Sequence, residues 1–194
     1  MTNIRSLCVY CGSSSGVRET HRNAAHALGA TLAKAGIRLV FGGGRVGLMG
    51  VVADAALENN GEVIGVIPKF LEQREVGHSE CSELIVTDNM HDRKLKMATL
   101  SDAFAILPGG LGTLDETFEI LTWKQLELHD KPIVIIDIDG YWKPLAALIE
   151  SQITENYVRA EYRNLFTIAP TVAEVLPMLE AMPPERFSLE SKWL

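Results

Sequence analysis

Short apolar runs alternate with longer amphipathic segments along most of this chain. Apolar runs bounded by glycine, proline or polar residues are typical of buried strands, and amphipathic stretches are typical of helices. The sequence predicts strands over residues 4–10, 37–41, 62–67, 84–87, 103–107 and 132–138. It predicts helices over residues 19–35, 48–59, 90–100, 114–128, 142–153 and 171–182. Residues 69–82 are expected to form a long loop, and residues 159–168 fit either a helix or a strand.

Strands that alternate with helices favour a parallel sheet covered by helices on both faces. The predicted fold is therefore α/β, a doubly wound three-layer α/β/α arrangement that occupies residues 1–194 as a single domain. No internal repeat, low-complexity segment or linker interrupts the pattern. In such sheets ligands bind beyond the carboxyl ends of the strands.

Three turns rich in glycine or serine follow predicted strands: CGSSSG at 11–16, GGGRVGLMG at 42–50 and PGGLGTLDE at 108–116. Because the carboxyl ends of parallel strands lie along one edge of the sheet, we expect the three turns to converge on one crevice. Candidate crevice or phosphate-binding residues in the first two turns are Gly12, Ser13, Gly43 and Gly44.

The third turn lies between a predicted buried strand and a predicted helix, the arrangement in which backbone N–H groups at a helix start bind an anion. Gly109, Gly110 and Gly112 allow the main chain to approach a ligand closely and to take positive φ where needed. Thr113 and Glu116 also fit a capping box that needs no ligand. A cap does not require the three glycines, so we interpret the turn as a phosphate-binding loop with a carboxylate one helical turn away.

Two other nucleotide-binding motifs are disfavoured. The segment GGGRVG at 42–47 matches the dinucleotide fingerprint, but the strand that follows ends in IPK and not in an acidic residue. An oxidoreductase that uses NAD or FAD is therefore not the preferred interpretation. A P-loop NTPase is excluded because no G-x-x-x-x-G-K-[ST] segment exists.

The composition is that of an ordinary globular protein, with 47% hydrophobic and 22% charged residues. A net charge of −7 disfavours a nucleic-acid-binding surface, and no apolar run is long enough to span a membrane. Cys8 and Cys11 form a C-x-x-C pair, but no second ligand pair follows, so we interpret them as packing residues and not as a metal or redox site. The N-terminus lacks signal-peptide features, and we expect a cytoplasmic location.

A polar segment, MHDRK at 90–94, begins a predicted helix. Arg93 and Lys94 lie in its first turns, where the helix dipole disfavours cations unless an anion is close. A solvated basic turn, or an ion pair with Asp88 or Asp92, is the alternative that needs no ligand.

Taken together, GGGRVGLMG, MHDRK and PGGLGTLDE resemble the motifs of the LOG ("lonely guy") family of cytokinin riboside 5′-monophosphate phosphoribohydrolases, long mislabelled as possible lysine decarboxylases. The resemblance runs from the first strand to about residue 142 and continues more weakly beyond it. It implies a Rossmann-like fold and a homodimer with active sites near the interface. The implied reaction is hydrolysis of the N-glycosidic bond of AMP or an N6-substituted AMP to free base and ribose 5-phosphate.

The same resemblance assigns the functional arginine to Arg93 and the functional glutamate to Glu116. Further substrate contacts are implied for Lys94, for Glu75 in the long loop and for Thr122. The contacts implied for the third turn are Gly109, Gly110, Leu111, Gly112, Thr113, Leu114 and Asp115, the last of which replaces a glutamate of many members. Water is the second substrate, and we expect no cofactor and no metal.

Breaking a C–N glycosidic bond builds positive charge on the sugar. Glu116 can stabilise this charge or hold the ribose hydroxyls and the attacking water, whereas it would repel phosphate. Arg93 cannot give up a proton at neutral pH, so we expect it to stabilise negative charge on the leaving base or the phosphate. His91 is an alternative proton donor, although its position at a helix start favours a packing role.

Two other functions stay open at this point. An AMP-type nucleosidase without a cytokinin role would differ only in its base pocket. A nucleotide carrier or sensor without catalysis would keep the glycine turns but would not need both Arg93 and Glu116.

Overall fold

The computed structural model describes residues 4–75 and 77–182, with Glu75 described by its backbone alone. The strands are β1 (Ser6–Tyr10), β2 (Arg38–Phe41), β3 (Val63–Pro68), β4 (Glu83–Thr87), β5 (Ala103–Ile106), β6 (Ile133–Ile136) and β7 (Thr167–Ala169). The α-helices are α1 (Glu19–Lys34), α2 (Gly47–Glu58), α3 (Lys69–Glu75), α4 (Met90–Thr99), α5 (Leu111–Gln125), α6 (Lys143–Thr154) and α7 (Val175–Ala181). Short 3-10 helices lie at Ile138–Gly140, Ala160–Leu165 and Val172–Glu174.

These strands form one parallel sheet in the order β4-β3-β2-β1-β5-β6-β7. Strand β1 pairs with β2 on one side and with β5 on the other, so the direction of winding reverses between β1 and β5. A ligand crevice opens at such a switch point, beyond the carboxyl ends of the strands. The predicted doubly wound α/β fold is confirmed.

Strands β1, β3, β5 and β6 are buried on both faces, which is why they are continuous apolar runs, whereas the edge strands β4 and β7 are partly exposed. Successive strand residues point to opposite faces, so Leu7 and Val9 join one buried cluster and Cys8 and Tyr10 join the other. The first cluster includes residues of α1, α2 and α7, and the second includes residues of α4, α5 and α6. This arrangement is the three-layer architecture that the sequence predicts.

Helix α5 begins at Leu111, earlier than the predicted start at residue 114. Gly110 is its N-cap residue, and no side chain caps the helix. Thr113 therefore lies inside the helix, and the expectation that it would cap α5 was wrong. Glycine is a poor helix former, so the tertiary surroundings outweigh local propensity here. As a result, the amides of the glycine turn are the first amides of α5.

Residues Lys69–Glu75 form helix α3, where the sequence predicted a loop. Seven residues are too few to display a helical period, so the pattern of hydrophobic positions does not reveal this helix. The ambiguous segment 159–168 contains both a 3-10 helix (Ala160–Leu165) and most of β7.

The last predicted helix, over residues 171–182, is interrupted. Pro177 has no N–H group to bond the carbonyl four residues earlier, so α7 begins only at Val175 and holds Pro177 in its first turn. The hydroxyl of Thr171 donates to the Glu174 carboxylate at 2.8 Å, and neither side chain caps an amide as a capping box would. Within the described ranges, no helix is both long and apolar enough to cross a membrane.

Candidate active site

The three glycine- and serine-rich turns meet at the switch point between β1 and β5. The Gly12 amide donates to the Pro108 carbonyl at 3.0 Å, and the Leu48 amide donates to the Gly12 carbonyl at 2.9 Å. A Cβ atom on Gly12 would lie 3.2 Å from the Cα atom of Gly109, so the first and third turns touch through their backbones. The predicted convergence of the turns is confirmed.

A cavity of about 330 Å³ opens beside this junction. The first turn contributes residues 11–14 to its wall, and the start of α5 contributes residues 110–113 together with Glu116. The wall is completed by Arg93 and by three apolar side chains, Met49, Leu71 and Met90. A cavity of this size and mixed polarity is typical of a small-molecule site.

Arg93 and Glu116 form an ion pair in this cavity. Nη1 of Arg93 donates to Oε1 of Glu116 at 2.7 Å, and the two side chains are only 8% and 9% exposed. Oε2 of Glu116 has no hydrogen-bond partner among residues 4–75 and 77–182. The second carboxylate oxygen is therefore available to a ligand that enters the cavity.

Two backbone carbonyls hold the rest of the Arg93 guanidinium. Nε donates to the carbonyl of Val66 at 3.0 Å, and Nη2 donates to the carbonyl of Gly42 at 3.3 Å. A Cβ atom on Gly42 would clash with the guanidinium group, which explains why residue 42 is glycine. The second turn therefore holds the Arg93 side chain in place and does not act as a dinucleotide-binding loop.

The N-terminus of α4 is capped by a side chain other than those of Arg93 and Lys94. The Asn89 side chain accepts from the Asp92 amide at 2.9 Å and donates to the Asp92 carboxylate at 2.7 Å. The ion pairs with Asp88 or Asp92 that the sequence left open are not formed, because Arg93 and Lys94 pair with residues of α5 instead.

Burial raises the pKa of Glu116 above its ordinary value, although the charge of Arg93 and its hydrogen bond lower it in part. The direction follows from the loss of water around the carboxylate, which a single charge-assisted hydrogen bond only partly replaces. A carboxylate with a perturbed pKa in a cleft, held by one specific cation, is characteristic of functional sites.

The start of α5 offers an anion site at the cavity wall. Its first amides, those of Leu111, Gly112 and Thr113, have no partner within the helix and no side-chain cap. The positive end of the helix dipole lies at the same place. These residues line the cavity, so a phosphate group is the natural ligand for this end.

The three glycines of the third turn have different roles. None of them adopts positive φ, so that part of the expectation was wrong. A Cβ atom on Gly109 would clash with Thr113 and would lie 2.9 Å from the Gly12 nitrogen, so Gly109 is required for packing. A Cβ atom on Gly110 or Gly112 would meet nothing within 4 Å. These two positions leave open space for a ligand at the cavity wall.

Lys94 lies outside the cavity wall. Its Nζ atom is 3.0 Å from a carboxylate oxygen of Asp115 and 3.0 Å from one of Glu119. Burial alone lowers the pKa of Lys94, but the hydrogen bonds and charges of Glu119 and Asp115 raise it more, so the net shift is upward. In the structure Lys94 and Asp115 form a contact between α4 and α5 and do not line the cavity, so the substrate contacts that the family resemblance implied for them stay predictions.

Several other expected contacts do not line the cavity. Leu114 is half-buried and packs against the second cluster, and Thr122 is exposed on α5. Leu111 lines the cavity, but 86% of its surface is exposed. His91 is exposed in the first turn of α4 and is not part of the wall. The side chain of Glu75 lies outside the described residues.

Gly43 and Gly44 shape the second turn without reaching the cavity. Gly43 has a φ of 73° and packs against Val66 and Ile67 of β3. Gly44 pairs with Gly77 through an isolated antiparallel bridge. Both positions therefore support the turn that holds Arg93, in contrast to Gly12 and Ser13, which line the cavity as predicted.

The apolar wall was not found by inspection of the sequence. Met49, Leu71 and Met90 come from α2, α3 and the first residue of α4. Their only sequence signal is that each lies within a few residues of a recognised turn or patch. Cys11 also lines the cavity, but burial raises the pKa of its thiol and of the Cys8 thiol far above the usual range, in keeping with packing residues.

The comparisons with known proteins agree with this geometry. A family model described as "possible lysine decarboxylase" matches residues 49–179, which include Arg93, Glu116 and the third turn. The cytokinin riboside 5′-monophosphate phosphoribohydrolase LOG of Oryza sativa subsp. japonica is 42% identical over 184 residues, covering 95% of this chain and 76% of that protein. The chain belongs to the LOG family.

A second LOG protein, from Arabidopsis thaliana, also carries the name cytokinin riboside 5′-monophosphate phosphoribohydrolase. It is 39% identical over 194 residues, covering 99% of this chain and 85% of that protein. The family that the three sequence motifs suggested is thus confirmed.

Solved structures extend the likeness in fold. The molybdenum cofactor carrier protein of Chlamydomonas reinhardtii superimposes with a TM-score of 0.68 at 24% identity, covering 91% of this chain and 96% of that one. The molybdenum cofactor binding protein of Rippkaea orientalis gives a TM-score of 0.69 at 22% identity, covering 93% and 98% of the two chains. At these identities the likeness concerns the fold, and it shows that this LOG family member has a widely shared α/β architecture.

Proposed function

We propose that this protein hydrolyses the N-glycosidic bond of a nucleoside 5′-monophosphate, with water as second substrate, and releases the free base and ribose 5-phosphate. The observation that carries the proposal is the buried Arg93–Glu116 pair, whose carboxylate lines the same cavity as the uncapped start of α5. One end of the cavity suits a phosphate, and the adjacent carboxylate suits a sugar that becomes positively charged.

The substrate phosphate lies on the amides of residues 111–113. These amides need acceptors, and the helix dipole adds a favourable field. Glu116 follows Thr113 by one turn of α5, which is about 5 Å along the helix axis. A nucleotide that continues from its phosphate into the cavity therefore brings its ribose beside Glu116.

Glu116 acts on the ribose. Its Oε1 atom is engaged by Arg93 and its Oε2 atom faces no protein partner among the described residues, so Oε2 contacts the sugar hydroxyls or the attacking water. In the low dielectric of the cavity, the carboxylate stabilises the positive charge that builds on the sugar as the C–N bond breaks.

Arg93 positions Glu116 and favours its ionised form, because its charge and its hydrogen bond lower the pKa of Glu116 against the effect of burial. The guanidinium has three protein partners, Glu116 and the carbonyls of Val66 and Gly42, so it is fixed before substrate arrives. This geometry favours a role in preorganising the carboxylate over the direct stabilisation of the leaving base that the sequence suggested. His91 is not assigned a catalytic role because it does not line the cavity.

The base lies against the apolar wall of Met49, Leu71 and Met90. Apolar side chains suit the faces of a purine ring, and methionine side chains adapt to different substituents. Relatives that are about 40% identical are named for cytokinin nucleotides, so we assign AMP and N6-substituted AMP as the substrate class.

A homodimer in the cytoplasm is the proposed working state. Leu95 and Leu128 are 55% and 68% exposed, and they border an apolar groove along α4 and α5 that Trp123 also lines. Burial of such a face in a symmetric pair would remove apolar area from water. The three cysteines are free, as expected in a reducing compartment. A monomer mass by light scattering at micromolar concentration would refute the dimer.

The test is an assay of free base after incubation with AMP and, separately, with isopentenyladenosine monophosphate. We expect base release from both or from the N6-substituted nucleotide alone, and the latter result would assign the cytokinin substrate. Glu116→Gln should bind the nucleotide with similar affinity but lose activity by about 100-fold or more. Nucleotide binding without base release by the wild-type protein would refute hydrolysis and indicate a carrier.

A further inference from the structure

A second cavity, of about 310 Å³, lies on the α1 side of the junction between the first and third turns. It shares Gly12, Ser14 and Gly110 with the active-site cavity, so the two spaces are adjacent. Its other walls come from the start of α1, from the third turn and from Tyr141 after β6. The proposed hydrolysis does not use this space.

The start of α1 gives this cavity a positive end. Arg18 is the N-cap residue of a 16-residue helix, and no side chain caps that helix. Arg18 is exposed, lines the cavity and makes no side-chain hydrogen bond to the described residues. The uncapped amides of Glu19 and Thr20 lie at the same helix end, where the dipole favours an anion.

His21 provides a second, independent sign of a ligand. The residue is only 4% exposed and lines the cavity, and its Nε2 atom is buried without a hydrogen-bond partner among the described residues. Its ring packs edge-on against Tyr141 with 5.3 Å between ring centres. An unpaired buried ring nitrogen is unfavourable, so a hydrogen-bond partner that arrives with a ligand would be stabilising.

The charges around this cavity favour an anion. Among the described residues that line it, Arg18 is the one permanent charge, and none is acidic. The carboxylate that acts electrostatically on His21 belongs to Asp139, which accepts a hydrogen bond from the Thr20 hydroxyl at 2.6 Å and is not part of the wall. The Glu19 carboxylate in the first turn of α1 is exposed and is likewise not part of it.

We propose that this α1-side cavity binds a second phosphate group, held by Arg18, His21 and the first amides of α1. The inference rests on the proposed function for the occupant of the first cavity, the nucleoside monophosphate. Two sources offer the same chemistry: a free orthophosphate ion, or the outer phosphate of a nucleoside diphosphate that extends across Gly12 and Gly110. The Tyr141 hydroxyl donates to the Gly109 carbonyl at 2.6 Å, which fixes Tyr141 against the third turn in the wall of the α1-side cavity.

The first arm of the test uses the Glu116→Gln protein saturated with AMP and titrated with orthophosphate in a calorimeter. We expect one further phosphate to bind, and Arg18→Ala in the same background to weaken this binding about tenfold or more, the loss of one charge-assisted contact. Arg22→Ala is the matched control, since Arg22 is exposed on the same helix but does not line the cavity. Its affinity for phosphate should stay within about twofold of the parent.

The second arm compares ADP with AMP on the same Glu116→Gln protein. If the outer phosphate reaches the α1-side cavity, ADP binds about tenfold tighter than AMP, and Arg18→Ala removes the difference. His21→Phe keeps the aromatic contact with Tyr141 and should weaken the same interaction, which separates a ligand role from a packing role.

Binding of orthophosphate alone, dependent on Arg18, would assign the free ion, and Arg18-dependent tightening of ADP would assign the diphosphate. If neither ligand responds to Arg18→Ala, the proposal is overturned. The wild-type assay of base release decides the proposed function separately. Should AMP fail to bind at all, orthophosphate titration of the free protein with the same two arginine variants still decides this site.

Discussion

Two neighbouring cations of α4 form ion pairs with α5, and they face different surroundings. Arg93 pairs with Glu116 inside the cavity, where both side chains are less than a tenth exposed. Lys94, the next residue, pairs with Asp115 and Glu119, whose side chains are 56% and 24% exposed. Consecutive helix positions differ by about 100° in direction, so adjacent residues of one helix meet adjacent residues of the other on different faces.

This difference indicates a catalytic role for the inner pair, Arg93 with Glu116, and a structural role for the outer pair, Lys94 with Asp115 and Glu119. The inner pair is desolvated, has a carboxylate oxygen free among the described residues, and borders space for a ligand. The outer pair is partly solvated, so its contribution to stability is small, and its residues do not line the cavity. Charge and helix position alone do not distinguish the roles of the two adjacent cations, but their surroundings do.

Replacement of Arg93 by alanine has the largest expected effect. It leaves the buried Glu116 without its cation and also frees the carbonyls of Val66 and Gly42. We expect kcat/KM to fall about 100-fold or more and the free energy of unfolding to fall by about 3 kcal/mol. Steady-state kinetics and urea unfolding measure the two changes. Unchanged kcat/KM would remove Arg93 from the site.

A matched double variant, Arg93→Met with Glu116→Gln, separates the two effects of this change. Both charges are absent, so no buried ion is left unpaired, and much of the lost stability should return. Activity should stay as low as in the single variants. Recovery of activity in the double variant would break the assignment of chemistry to the inner pair.

A methyl group on Gly112 tests the phosphate end without touching either ion pair. The position lies in the first turn of α5, and a Cβ atom there would meet nothing within 4 Å. Alanine should therefore raise the free energy of unfolding by up to about 1 kcal/mol, because it favours the helix over the unfolded chain. We expect activity to fall about tenfold, since the methyl group enters the proposed phosphate space. Thermal unfolding and the base-release assay should move in opposite directions, and equal or higher activity would refute a phosphate at this position.

The pH dependence of the inner pair has a definite sign. Burial raises the pKa of Glu116, and the proposed chemistry needs the ionised form, so activity should be lost as pH falls through a value above the ordinary 4.5. Stability should change in the opposite sense, because protonation of Glu116 favours the folded state when the folded pKa is the higher one. Its contribution is greatest below pH 4.5 and is lost as pH rises through the raised pKa.

Two measurements check this sign. A pH profile of kcat/KM should have an acid limb above 4.5, and Glu116→Gln should gain melting temperature relative to wild type as pH rises through the same window. An acid limb at or below 4.5 would contradict the raised pKa.

Most of the sheet could be predicted from the sequence because the central strands of a doubly covered parallel sheet are continuous apolar runs, as in β1 and β5, whereas the short edge strand β7 could not. The start of α5 could not, because Gly110 and Gly112 argue locally against a helix and only their surroundings reverse the balance. Arg93 and Glu116 were identified by resemblance. Their contact joins two helices through residues that are 23 positions apart in the chain, and no spacing rule predicts it.

His21 shows the other kind of limit. A histidine on the inner face of an amphipathic helix looks like an ordinary core residue, and nothing in the surrounding sequence marks its Nε2 atom as unpaired. Only the packing of α1 against Tyr141 and the third turn reveals the cavity that it lines. The local sequence pattern thus predicts helices and strands. Buried polar groups without a hydrogen-bond partner can be recognised only once the helices and strands are packed together.

The smallest expected effect belongs to the outer pair. Lys94→Met keeps the apolar stem that packs between α4 and α5 but removes the charge that contacts Asp115 and Glu119. Because these carboxylates are partly solvated, the free energy of unfolding should fall by only about 1 kcal/mol, and kcat/KM should stay within about threefold of wild type. The comparison with Arg93→Ala is the sharpest test of the division between the pairs. If Lys94→Met lowers kcat/KM as strongly as Arg93→Ala does, without a comparable loss of stability, then Lys94 contacts substrate and the outer pair belongs to the chemistry.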